Sequence, residues 1–201
     1  GGENLIKILE RLNHEIARDK INKVHLFILG LGDLKDIKKF DNMVIHHISV
    51  FLGFNIFEML TALYSSADLF IYPTKADTFP LVLQEASACG VPCVTFDVGG
   101  CSSIIRDNVS GYLIQPYEIN DFVSKICLLI ENNEKREDFS KAGRTFIKNN
   151  YSLKIIAEKY VAGLSLFKTK KVEMKLSANE SALGPSPSAI KEYVKVSKNF
   201  K

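Results

Sequence analysis

Short apolar runs alternate with longer amphipathic stretches along most of this chain, and that alternation narrows its fold more than any other feature. Residues 24–29, 43–48, 68–72, 92–96 and 111–114 are apolar runs of strand length, as expected of strands covered on both faces. Helical spacing separates and follows them. Leu5, Ile8, Leu9, Leu12 and Ile16 recur at three and four within 4–16, which places one apolar stripe on a helix. Further helices are expected over 57–65, 81–89 (closed by Gly90 as a C-terminal cap), 102–106, 120–132, 134–149 and 152–167, and a weak one up to Phe40. Asp121, Glu134 and Ser152 stand near helix starts, where free N–H groups favour them. Strands that alternate with helices pair in parallel, because each return to the sheet needs a crossover. Right-handed crossovers then make the fold class α/β, a Rossmann-like doubly wound parallel sheet. In such sheets ligands bind beyond the strand C-termini. The loops 30–33, 51–55, 73–80 and 97–102 are therefore the ones to read for chemistry.

Composition removes other classes. The 201 residues are 46% apolar and 24% charged, ordinary values for a globular chain and not for a disordered one. No apolar run approaches the ~18 residues of a membrane-spanning helix. With 26 basic against 23 acidic residues the net charge is +3, too even for a nucleic-acid binder. Cys89, Cys93, Cys101 and Cys127 form no C-x2-C pair and lie in apolar stretches, so they read as small buried hydrophobes rather than zinc ligands. No signal-peptide pattern opens the chain. His46 and His47 read as structural, one on each side of a strand, and His14 and His25 show no partner. Gly30-Leu31-Gly32 fails as a dinucleotide fingerprint, because the third glycine position is Lys35.

The stretch from Ala67 to Val94 carries the most information. It reads as a strand, a loop with Asp77, and a helix with Glu85 one to two turns inside it. The helix N-terminus offers free N–H groups and a positive dipole, a seat for phosphate. Two carboxylates beside such a seat cannot bind the phosphate. They suit hydroxyl groups, as on a sugar or a ribose. The plain alternative makes Asp77 a loop acid or cap and Glu85 a surface residue.

These residues resemble the donor-binding signature of retaining GT-B glycosyltransferases of the group 1 (family 4) type. That signature is a Glu, seven residues, a second Glu and then Ala-x-Ala-x-Gly-x-Pro. Here Glu85-Ala86-Ser87-Ala88-Cys89-Gly90-Val91-Pro92 matches its second half, and Asp77 stands where the first Glu is usual. Shorter matches follow in order: Gly1-Gly2, Gly30-Leu31-Gly32, Leu52-Gly53, Leu63 to Asp68, Val98-Gly99-Gly100 and Asn108 to Ile114. The resemblance implies one half of a GT-B fold over 1–167, binding a nucleoside diphosphate sugar for retaining transfer to an acceptor hydroxyl in glycan or lipid-linked glycan synthesis. By position, Asp77 would be the catalytic residue that meets sugar hydroxyls and Glu85 would hold the ribose. Thr78, Phe79 and Leu81 would offer N–H groups to the diphosphate or sugar, and Pro80, with no N–H, would shape the loop. Leu52 and Gly53 would border the base, and Gly30 would belong to the same donor site. No metal or cofactor is implied in this domain.

The first residues lack a Met, and the chain stops in mid-pattern at Phe200-Lys201, so both ends read as cut. The family's diphosphate-binding Arg and Lys stand just before its Gly-Gly helix, and its acceptor-binding Rossmann domain precedes them. Both are expected as missing partners, which implies that this chain alone is inactive. Lys75 and Arg106 are weak substitutes. The expected location is cytoplasmic, with peripheral contact at the inner membrane face through the missing half. Residues 168–201 form a basic linker followed by Lys175 to Ile190, which resembles the opening arm of histidinol-phosphate-type aminotransferases. Pyridoxal phosphate would enter only with the rest of such an enzyme. Two rival functions are a non-catalytic Rossmann-like binding module and a nucleotide-sugar epimerase of GT-B architecture.

Overall fold

The computed structural model of the chain describes residues 1–19, 24–29, 40–48 and 56–168. The turn at Gly30, the weak helix after it, the Leu52-Gly53 loop and the aminotransferase-like tail lie outside the described residues. The elements are α1 (Gly2–Asp19), β1 (Val24–Leu29), β2 (Met43–Ile48), α2 (Ile56–Ser66), β3 (Phe70–Tyr72), α3 (Leu81–Ala88), β4 (Cys93–Phe96), α4 (Cys101–Ile104), β5 (Gly111–Ile114), α5 (Ile119–Glu131), α6 (Asn133–Tyr151) and α7 (Leu153–Lys168). The chain divides into two compact units, Gly1–Ile156 and Ala157–Lys201.

All strand pairs among the described residues are parallel. β1 pairs with β2, from Val24 opposite Met43 to Leu29 opposite Ile48. β4 lies between β3 and β5, with Ile71 opposite Val94 and Val94 opposite Tyr112. The sheet is thus hydrogen-bonded in two groups, β1–β2 and β3–β4–β5. Among the described residues β1 and β3 share no ladder, and a cavity of about 760 Å3 is lined by Val24 and Leu26 of one and Phe70 and Ile71 of the other. Alternation in sequence specifies parallel neighbours but not the continuity of the sheet, so this division was not legible beforehand.

Side-chain alternation along the strands gives the central group two cores. Val94, Phe96, Tyr112 and Ile114 face one way and pack with Ile8, Leu9, Leu12 and Ile16 of α1 and Phe122, Val123, Ile126 and Leu129 of α5. Cys93 faces the other way, into Leu83 and Ala86 of α3, Cys101 and Ile104 of α4, and Ile147 of α6. Helices therefore cover both faces, the arrangement of a doubly wound layer. Cys93 and Cys101 are buried, and Cys89 and Cys127 are half-buried. Burial pushes the Cys93 thiol up to about 12, which keeps it protonated and unreactive at neutral pH.

Candidate functional site

Two loops meet beyond the C-terminal ends of β3 and β4, and the first of them also meets the N-terminus of α1. The first, 73–80, joins β3 to α3. Its buried Pro73 accepts a hydrogen bond from Asn4 Nδ2 of α1 at 3.3 Å. A Cβ on Gly1 would come within 2.8 Å of the same Pro73 carbonyl oxygen. The start of α1 is therefore pressed against the start of the loop. β3 and β4 are also tied at their ends, since Thr95 Oγ1 donates to the Tyr72 carbonyl at 2.8 Å.

The second loop, 97–100, locks the first. Gly100 N–H donates to the Asp77 carbonyl at 2.7 Å. A Cβ on Gly99 would overlap the Asp77 carbonyl oxygen, and one on Gly100 would overlap that of Thr78. Gly99 also has φ +53°, a left-handed conformation that disfavours any side chain. Both glycines are thus required by close approach of two backbones, and the loop they press upon carries Asp77.

Asp77 is half-buried and held at both carboxylate oxygens. The Tyr72 hydroxyl donates to Oδ2 at 2.8 Å. The Phe79 N–H donates to Oδ1 at 3.0 Å. Burial, then the bond to Asp77, pushes the Tyr72 hydroxyl above its ordinary range. That hydroxyl therefore stays a donor at physiological pH. A carboxylate has about four lone-pair positions, so two bonds leave acceptor capacity for ligand hydroxyls.

α3 begins at Leu81 after Pro80, and no side chain caps it. Its first N–H groups point toward the helix start without a side-chain acceptor, as anion binding requires. Thr78, Phe79 and Leu81 are exposed there, and Pro80 is buried. Glu85 is exposed on α3 and accepts a hydrogen bond at 3.2 Å from the Tyr64 hydroxyl of α2. Burial, then Glu85, raises the Tyr64 hydroxyl above its usual range. The two acids are thus each paired with a tyrosine from a neighbouring element. Neither tyrosine was identified from sequence. The signal was present, because a buried tyrosine ring needs a partner for its hydroxyl and Tyr72 lies five residues before Asp77.

Both basic residues weighed as phosphate partners are engaged. Lys75 Nζ pairs with Glu3 in the first turn of α1 at 2.6 Å, and Arg106 lies over the Phe146 ring at 5.5 Å. The histidines gain a partner that the sequence did not reveal. His25 Nδ1 and His46 Nε2 are 3.1 Å apart across β1 and β2, and His46 stacks on Phe27 at 4.6 Å between centroids. Leu52, Gly53 and Gly30 lie outside the described residues.

Residues 1–146 match the family described as glycosyl transferases group 1. The chain belongs to that family. Over 165 residues it is 31% identical to the sulfoquinovosyl transferase SQD2 of Arabidopsis thaliana, covering 78% of this chain and 32% of that protein. The chain thus spans about a third of the length of this curated relative. Among solved structures, a TarM variant from S. aureus, in complex with UDP among other ligands, superposes with a TM-score of 0.64 at 26% identity, over 80% of this chain and 32% of TarM. The sucrose-phosphate synthase of Thermosynechococcus elongatus superposes at 0.60 with 20% identity, over 72% of this chain and 39% of that one, which speaks to the fold alone. The Rossmann-like layer expected of a GT-B glycosyltransferase is therefore present in this group 1 domain. Among the described residues no helix is long and apolar enough to cross a membrane.

Proposed function

We propose that residues 1–167 of this chain are the nucleotide-sugar-binding half of a retaining glycosyltransferase, working in glycan or lipid-linked glycan synthesis. The observation that carries the reading is the placement of Asp77, fixed at both oxygens, beside the uncapped start of α3 on one strand edge. The α3 N-terminus takes the diphosphate through backbone N–H groups and its dipole. Thr78 and Leu81 offer their N–H groups to that seat, Phe79 gives its N–H to Asp77 Oδ1 instead, and Pro80 shapes the loop. Glu85 accepts the ribose hydroxyls. Asp77 accepts hydroxyls of the sugar, and Leu52, Gly53 and Gly30 belong to the base side of the site. A TarM structure in complex with UDP and a structure of HepE from Anabaena in complex with UDP-glucose support a uridine donor as the first to try.

Transfer needs an acceptor site and cations for the diphosphate. On this reading an acceptor-binding half preceding Gly1 supplies both, and peripheral membrane contact comes through it. The 201-residue chain binds donor weakly and transfers nothing by itself. Sugar transfer by the isolated chain to any acceptor would overturn that part of the reading.

Glu85→Ala is expected to weaken nucleoside diphosphate sugars about 10- to 100-fold, since it removes a charged acceptor worth roughly 1.5–3 kcal/mol. Titration calorimetry with UDP-, GDP- and ADP-linked sugars measures it. Equal affinity in the variant and the parent chain would sink the ribose assignment.

A further inference from the structure

The first acid of the signature is an aspartate here, one methylene shorter than the glutamate it replaces. Its carboxylate accepts a hydrogen bond from the Tyr72 hydroxyl of β3 at 2.8 Å. Tyr72 is itself fixed from two sides. Its ring stacks against Phe70 at 6.1 Å between centroids, and its carbonyl accepts from Thr95 Oγ1. Asp77 is anchored through three separate bonds: Oδ2 to Tyr72, Oδ1 to Phe79 N–H, and its carbonyl to Gly100 N–H.

Resting on the proposed function, we propose that Tyr72 is a positioning residue that holds the Asp77 carboxylate in the one orientation from which it accepts hydroxyls of the donor sugar. The reasoning is geometric. Phe79 N–H fixes one carboxylate oxygen, but one bond leaves the group free to swing about it. The second bond, from a rigid ring at a strand end, fixes the carboxylate plane. Each oxygen then keeps a lone pair for a further donor. Tyr72 needs no contact with the sugar; its effect passes through Asp77. A nucleotide that lacks the sugar bypasses Asp77 and is indifferent to Tyr72.

That last difference supplies the test. The 201-residue chain and its Tyr72→Phe, Asp77→Asn and doubly substituted variants are titrated with UDP-glucose, UDP-GlcNAc, GDP-mannose and ADP-glucose, and with UDP, GDP and ADP. Phenylalanine keeps the ring and its stacking on Phe70, and Asp77→Asn reports on the acid independently should Tyr72→Phe misfold. Tyr72→Phe is expected to weaken the preferred nucleotide-sugar about tenfold and to leave the matching nucleoside diphosphate within about twofold. The double variant is expected to bind no worse than Asp77→Asn, because the tyrosine acts only through that carboxylate. Equal losses for sugar-linked and sugar-free nucleotide, no loss for either, or losses that add fully in the double variant would each overturn the inference while leaving nucleotide-sugar binding in place. A parent chain that binds none of these compounds overturns the proposed function and this inference together.

Discussion

Gly99→Ala is expected to destabilise the domain by about 2–5 kcal/mol and to abolish measurable donor binding. The first part of that cost is conformational. Gly99 has φ +53°, and a residue with a side chain pays roughly 1–2 kcal/mol there. The second part is steric. The new Cβ meets the backbone carbonyl of Asp77, which cannot turn aside as a flexible side chain would, and overpacking of this kind costs about 1–3 kcal/mol. Relief requires the two loops to separate. Separation breaks the Gly100–Asp77 backbone bond and carries Asp77 away from Tyr72. In a domain of this size the melting temperature should fall by about 5–15 °C. Gly100→Ala should behave similarly through the Thr78 carbonyl, whereas Gly2→Ala, with nothing near its Cβ position, should be close to neutral. Thermal unfolding followed by circular dichroism reads the stability, and titration with UDP-glucose reads the site. A Gly99→Ala chain that melts and binds like the parent would show that the loops are not locked together.

The sequence carried the layer and its loops well, and the site's supports poorly. β1, β2 and β5 occupy the expected residues. β3 starts at Phe70 rather than at Asp68, since residues 67–69 are spent ending α2, with Ala67 N–H bonded to the Tyr64 carbonyl. β4 begins after Pro92, which has no N–H for a ladder and gives its carbonyl to Phe70. The helix after Gly99-Gly100 spans Cys101–Ile104 and ends earlier than expected, where the Arg106 N–H donates to Ser110 Oγ instead. α6 is capped by Asn132, whose side chain accepts from Lys135 N–H at 2.8 Å, where Glu134 had marked the start. Asp77 and Glu85 could be singled out because an acid beside a helix start is a local pattern. Tyr64 and Asn4 could not, because their partners are set by which elements lie side by side. The pairing of Lys75 with Glu3, 72 residues away, was hidden for the same reason.

Phe122→Ala should be among the most damaging single changes in the chain, at about 3–5 kcal/mol. Phe122 is fully buried on the α5 face of the sheet and meets Phe96 of β4 with ring centroids 4.9 Å apart and planes 57° apart. Truncation removes that contact and leaves a cavity among Ile8, Leu9, Val94 and Ile114, all of which belong to the same core. Domains of this kind keep only about 5–15 kcal/mol in total, so the variant sits near the edge of folding. The control is Phe57→Ala, whose side chain is 82% exposed and should change stability by less than about 0.5 kcal/mol. Urea unfolding distinguishes the two through the midpoint, with an unchanged slope if only stability is altered. The consequence for the site follows from where Phe96 sits. It is the last residue of β4, immediately before the loop whose glycines lock Asp77 in place, and its ring is what Phe122 supports. A cavity beneath it loosens that loop from below, as Gly99→Ala forces it from above. Phe122→Ala should therefore lose donor affinity even where it remains folded, while Phe57→Ala keeps it. Full donor affinity in a folded but destabilised Phe122→Ala chain would mean that the core under β4 does not reach the site.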